Sequence, residues 1–148
     1  MKIDVKIKKV RESAQIPEYA TCGSAALDLR HAGDEPVVVK ARSRAAIPTG
    51  IAVAPADTSV VSVVCARSGL ATKHGIALAN GIGVIDSDYR GEILVSLINN
   101  SDVDYEVAVG ERVAQLMFMP VLTANLILSD ELDETERGSG GFGSTGKN

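Results

Sequence analysis

The sequence predicts an all-β domain, a sandwich, jelly roll or barrel, on three observations. Short apolar runs recur between turn-forming residues, roughly every eight to twelve residues. Val, Ile and Ala dominate the apolar content, and Val and Ile fit pleated, half-buried surfaces. No stretch carries a long apolar stripe at the helical period.

The 148 residues make one ordinary domain, enough to bury about two thirds of the unfolded surface. Apolar residues are 45% and charged residues 23% of the chain, the balance of a soluble globular protein. With no Trp, two Phe and three Tyr, the core has to be aliphatic. A net charge of −4 leaves no global field for long nucleic acids, so no nucleic-acid partner is expected. A small anion needs only a local cluster of Arg, Lys and backbone donors. Cys22 and Cys65 stand far apart without metal-like spacing, which fits free thiols in a reducing compartment. The opening residues contain no apolar stretch for a signal peptide or membrane span. An intracellular, cytoplasmic protein with no membrane partner is expected.

Along the chain, residues 3–10 alternate Ile3, Val5 and Ile7 with Asp4, Lys6 and Lys8, the period of a half-buried strand. A loop with Pro, Thr and Gly runs to about Ser24. Residues 25–30 then place Asp28 in a small apolar strand, opposite in facing to Leu27 and Leu29. On local grounds Asp28 reads as an exposed strand residue. Further strands are expected at 37–39, 45–47, 51–54, 60–66 and 76–79.

The one helix expected is short, from Ser68 to His74, with Ser68 as its N-cap. Arg67 and Ser68 would sit where unpaired N–H groups favour an anion, against the equally weighted reading of a capped turn with a surface Arg. His74 reads as a surface or turn residue. His31, the other histidine, has no metal-like spacing to it.

Asn80 to Glu92 reads as a hairpin: Val84 and Ile85 lead into a polar tip of Asp86, Ser87 and Asp88, and Tyr89, Arg90 and Gly91 lead out. An amide, two carboxylates, a phenol and a guanidinium crowd this tip. Residues 93–98 form the next strand, 99–104 a polar turn and 105–109 the return. Gln115 is one amide within an apolar strand over 110–119, placed to brace a loop or face a ligand. Residues 121–128 read as a last strand.

From Ser129 the chain turns acidic and then glycine-rich. The expected division is therefore a β domain over 1–129 and a flexible arm over 130–148. Phe142 is a lone aromatic in that arm, with Arg137, Ser144 and Thr145 around it. Such a segment suits closure over a nucleotide, the aromatic on the base and the donors on phosphates.

Five segments together resemble the trimeric dUTPase family across essentially the whole chain. They are Ala25-Ala-Leu-Asp-Leu29, Arg67-Ser-Gly-Leu-Ala71, Gly83-Val-Ile-Asp-Ser-Asp-Tyr-Arg-Gly91, Gly110-Glu-Arg-Val-Ala-Gln115 and Arg137-Gly-Ser-Gly-Gly-Phe-Gly-Ser-Thr-Gly146. Ala66, where many members have proline, and Leu27, where several have an aromatic, are small departures. The resemblance implies a jelly-roll-like β-barrel, a homotrimer with sites between subunits, and Mg2+-assisted hydrolysis of dUTP to dUMP and pyrophosphate, supplying dUMP for thymidylate synthesis.

It also implies roles. Asp86 is the general base for the attacking water, and Asp28 holds the metal through water. Arg67, Ser68, Gly69 and Gln115 contact phosphates. The backbone around Asn80, Val84 and Ile85 pairs with uracil, and Tyr89 packs under the deoxyribose. Arg137, Phe142, Gly143, Ser144 and Thr145 close from a further subunit. The rival readings are a dCTP deaminase, alone or bifunctional, and a non-catalytic trimeric nucleotide-binding module. The complete tail and the Asp86 segment favour the hydrolase.

Overall fold

The computed structural model describes residues 2–141. It is an all-β, jelly-roll-like arrangement with one short helix. The strands are β1 (Val5–Lys9), β2 (Leu27–Arg30), β3 (Val37–Val39), β4 (Arg44–Pro48), β5 (Ile51–Pro55) and β6 (Val60–Cys65), then helix α1 (Ser68–His74). They continue as β7 (Ile76–Leu78), β8 (Gly83–Ile85), β9 (Leu94–Asn99), β10 (Tyr105–Val107) and β11 (Arg112–Pro120).

All ladders are antiparallel. The largest sheet runs β2-β11-β6-β8, a second runs β4-β9-β7, and β1-β5 and β10-β3 are two-stranded. Among the described residues no two consecutive strands share a ladder. Every pairing crosses over, as when apolar strands wrap two facing layers around a core.

That topology corrects the expected hairpin. β8 pairs with β6, whereas β9 pairs with β4 and β7. Asn80 to Glu92 thus carries the chain from one sheet to another. Likewise β10 returns to β3, not to β9.

The core is aliphatic, as composition requires: Leu29, Ile47, Ile51, Ile76, Leu97, Leu116, Val95 and Val113 are all fully buried. Leu116 lies mid-strand in β11, between Leu27 of β2 and Val64 of β6. Truncation there leaves a void that neighbours on two ladders cannot close. Leu116→Ala is expected to cost ~2–5 kcal/mol of stability, read from chemical denaturation.

Other expectations shift. Asn99 is not the start of the polar turn but the buried end of β9. Its amide nitrogen donates to the Val39 and Val103 carbonyls at 3.0 and 2.8 Å, and its oxygen accepts from the Ser101 N–H at 2.9 Å. It therefore braces the loop that follows.

Arg67 rather than Ser68 occupies the N-cap of α1, with no side-chain cap bond; Ser68 is the first helical residue. Gly75 closes the helix. Ile3 and Ile7, expected on a half-buried face, are exposed, and of β1 only Val5 is partly covered.

Residues 121–128 form no strand. Leu122 is 95% and Leu128 98% exposed. Their apolar character fits a strand, but among the described residues only Val121 is tied to another segment, its N–H donating to the Ser59 carbonyl at 2.8 Å.

Candidate active site

Two regions hold the residues singled out above. The first is a cavity of about 270 Å³ where the two larger sheets part, bordered by Asn80, Gly83, Val84, Ile85, Asp86, Tyr89 and Glu92, with Val64, Leu78 and Val95 beneath. β8 is the edge strand of its sheet: one side is laddered to β6, and the outer side pairs with no strand among the described residues. Its outer N–H and C=O groups are a preformed template for a ligand with matching donors and acceptors.

Asp86 follows directly and is exposed at the cavity's rim. Its carbonyl accepts the Tyr89 N–H at 3.1 Å, closing a turn that returns Tyr89 to the same cavity. Arg90 points away from this chemistry; its guanidinium donates to the Ser87 and Tyr89 carbonyls at 2.7 and 3.0 Å and so stiffens the turn.

The second region lies on the largest sheet. Asp28 of β2, Gln115 of β11 and Cys65 of β6 stand opposite one another in register, so their side chains share one face. Asp28 is not the exposed residue that alternation suggested, since its side chain is only 13% exposed. Arg67 Nε lies 3.2 Å from one carboxylate oxygen and Arg112 Nη1 3.1 Å from the other. Arg67 also donates to the Arg112 carbonyl at 3.2 Å, which ties the start of α1 to β11. Two guanidiniums around one carboxylate leave a local positive charge suited to phosphates. Ser68 and Gly69, both exposed, follow Arg67 in the first turn of α1, and a side chain added at Gly69 would meet nothing within 4 Å.

Asp28 borders its own cavity, with Arg30, Arg112 and Tyr19, and no residue lines both cavities. Within one chain, therefore, Asp86, Tyr89, Asn80, Val84 and Ile85 come together, and Asp28, Arg67 and Gln115 come together separately. Arg137 joins neither set: its Nε donates to the Gly140 carbonyl at 2.8 Å in an exposed turn. Phe142, Gly143, Ser144 and Thr145 lie outside the described residues.

Sequence reasoning missed three residues here. Arg112 sits at a β-bulge, where the register to β2 shifts between Arg112 and Ala114, and that shift turns its side chain onto Asp28. Only the reading of Gly110 to Gln115 as one segment hinted at it. Glu92 and Arg11 form the other pair: Arg11 Nε and Nη2 reach the two Glu92 oxygens at 2.7 and 3.1 Å, and the Gly50 N–H adds a third bond at 2.8 Å. No sequence signal links positions so far apart.

The Arg11 hydrogen bond, aided by the Gly50 N–H and opposed by partial burial, holds the Glu92 carboxyl below the ordinary glutamate range. A lowered native pKa gives stability that is fully present above the unfolded value and lost as pH falls through the native one. Glu92→Gln is expected to cost ~1–3 kcal/mol at neutral pH. It should also flatten, without abolishing, the acid limb of a denaturation-versus-pH series. Some slope persists because Asp104 is lowered in the same sense, by Lys40 and then by the Ala41 N–H.

Among the described residues no three His, Cys, Asp or Glu side chains cluster. A hydrated magnesium ion, bound chiefly through phosphates, does fit. One buried Asp28 oxygen, the one 3.2 Å from Arg67 Nε, makes no hydrogen bond within the described residues, so the carboxylate keeps acceptor capacity beside its ion pair.

The chain matches the dUTPase family model over residues 12–146. A deoxyuridine 5'-triphosphate nucleotidohydrolase of Desulfitobacterium hafniense is 50% identical over 146 residues, covering 97% of each chain. One from Actinobacillus succinogenes is 49% identical over 148 residues, covering 99% of this chain and 98% of its own. Among solved structures, the dUTPase of Staphylococcus bacteriophage 80alpha with dUPNHPP superposes with a TM-score of 0.88 at 27% identity, covering 97% of this chain and 98% of that one. The fold is also shared, at a TM-score of 0.79 and 23% identity, with a dUTPase of phage phi11 of S. aureus that coordinates a structural Mg(II) ion. The chain belongs to the dUTPase family.

Proposed function

We propose that this chain hydrolyses dUTP to dUMP and pyrophosphate at a site completed between copies of itself. The observation that carries the reading is the free outer edge of β8 beside the Asp86 carboxylate and the Tyr89 ring in one cavity. Backbone groups around Asn80, Val84 and Ile85 pair with the uracil edge. Cytosine exchanges that donor and acceptor pattern, and leaving fixed groups unpaired discriminates strongly. Tyr89 packs under the deoxyribose and leaves no room for a 2′-hydroxyl.

Asp86, at the rim, takes a proton from water as that water attacks the α-phosphorus in line. A new P–O bond forms from the water oxygen. The bond from the α-phosphorus to the oxygen bridging to the β-phosphate breaks, and pyrophosphate leaves with that oxygen and its electron pair. Arg67, Ser68, Gly69 and Gln115 hold the phosphates and offset the charge that develops on the leaving group.

When bound, Mg2+ would neutralise charge on the phosphate oxygens. Asp28 would hold its waters. The carboxylate's two arginine partners fix its position and prevent it from swinging into the substrate's place.

Because Asp86 and Asp28 line separate cavities in one chain, a homotrimer that apposes the Asp86 cavity of one copy to the Asp28 face of another completes the constellation. The exposed apolar residues of 121–128 supply surface for such contacts. The arm over 130–148, with Arg137, Phe142, Gly143, Ser144 and Thr145, closes from a further copy. The cellular setting that fits is the cytoplasm, where dUMP feeds thymidylate synthesis. Among the described residues no helix is long and apolar enough to cross a membrane.

The test is release of pyrophosphate and ammonia, with magnesium, from dUTP, dCTP, UTP and dTTP. Pyrophosphate from dUTP alone, without ammonia, is expected. Ammonia from dCTP would assign the chain deaminase chemistry instead, and silence from folded protein would leave a nucleotide-binding module.

A further inference from the structure

Tyr89 is about half exposed. Its hydroxyl donates to the Glu92 carbonyl at 3.0 Å, which folds the ring back across Gly91. A Cβ at residue 91 would lie 2.3 Å from the Tyr89 hydroxyl oxygen and 2.5 Å from Cζ. The glycine is needed there for space, so that the aromatic plane can lie against the backbone.

The ring is therefore only as well placed as the Glu92 carbonyl. Glu92 is fixed from two sides. Arg11, from the segment after β1, grips both carboxylate oxygens, and Gly50 donates its N–H to one of them. Gly50 has φ 66°, a left-handed conformation that aims this N–H, and a Cβ there would stand 2.5 Å from the Ala14 Cβ.

The next residue is tied as well: the Ile93 N–H donates to the Ile51 carbonyl at 2.8 Å, and the buried Thr49 hydroxyl donates to the Ile93 carbonyl at 2.7 Å. The Val10 N–H to the Gly50 carbonyl, 2.8 Å, locks the Arg11 segment to the same anchor. The exit of the Asp86 loop is thus clamped to residues 49–51, and Arg11 supplies the charged part of the clamp.

We propose that Arg11, Glu92 and Gly91 are positioning residues for Tyr89 and through it set the preference of the site for deoxyribose over ribose. This rests on the sugar-packing role given to Tyr89 above. None of the three needs to touch the reacting atoms. A 2′-hydroxyl is excluded only if the ring stays within a few tenths of an ångström of its place, and a packed platform held by one hydroxyl tether loses that accuracy when the carbonyl receiving it moves.

The experiment measures kcat and KM for dUTP and UTP, together with thermal transitions, for the wild type and for Arg11→Ala, Arg11→Lys, Tyr89→Phe and Gly91→Ala. The wild type should strongly favour dUTP. Arg11→Ala should lower the dUTP-to-UTP ratio of kcat/KM about tenfold, chiefly through KM for dUTP, and Arg11→Lys should recover part of the loss. Tyr89→Phe should lower the ratio similarly, and combining it with Arg11→Ala should add little, because both act through one contact. Gly91→Ala should lower it most; if that variant does not fold, the Arg11 pair decides.

An unchanged ratio in Arg11→Ala, with only the thermal transition lowered, would make the clamp merely structural and overturn the proposal. A Tyr89→Ala control separates the two claims. If removing the ring leaves the ratio as in the wild type, the sugar-packing role itself fails. If that control moves the ratio and Arg11→Ala does not, only the positioning claim fails.

Discussion

Asp86→Asn should lower dUTP turnover by about three to four orders of magnitude while leaving dUTP binding within a fewfold of the wild type. The amide has nearly the carboxylate's shape and sits on the same rim, so the cavity, the β8 edge and the Tyr89 turn should survive. The Asp86 contact seen in the structure is its backbone carbonyl accepting from Tyr89, and the substitution leaves that untouched. What disappears is a negative acceptor for the proton of the attacking water. Single-turnover hydrolysis and equilibrium titration with a non-hydrolysable dUTP analogue separate the two effects. A protein that fails to fold, or that loses binding along with turnover, would make Asp86 structural.

Truncation before Arg137 should reduce hydrolysis by about two orders of magnitude and leave the thermal transition within ~1 °C. The reasons lie in what the segment touches. Residues 130–139 are exposed, and their hydrogen bonds stay local: Arg137 to Gly140, and the Gly138 N–H to Thr135. Among the described residues, those removed, 137–141, make no hydrogen bond beyond this local turn. The loss falls on the phosphate donors and the aromatic that the arm contributes to the proposed site. Undiminished activity after truncation would remove the arm from the mechanism.

Local chemistry was legible in the sequence, and long-range pairing was not. Alternation and composition located most of the strands, because a side chain's facing depends on its own position in the pleat. They were silent on which strands pair. Val84-Ile85 and Ile93 to Ile98 flank a turn-rich tip, the ordinary sign of a hairpin, yet crossing topology sends β8 to β6 and β9 to β4 and β7.

The same limit hid the Arg11–Glu92 pair and the enclosure of Asp28. Alternation correctly turned Asp28 away from Leu27 and Leu29, but that face is covered by Arg67 and Arg112 rather than by water. Residues 121–128 fail in the opposite way: their apolar character is real, and among the described residues most of it is left uncovered. Ser68 was displaced by one position, a difference within the fraying of helix ends.

Water activated at Asp86 is expected to attack the α-phosphorus of dUTP. Hydrolysis in water enriched in oxygen-18, followed by mass spectrometry of both products under single-turnover conditions, tests it most directly. The label is predicted in the phosphate of dUMP, with none in pyrophosphate. Label in the pyrophosphate instead would place the attack on the β-phosphorus and contradict the assignment of Asp86 to the α-phosphate.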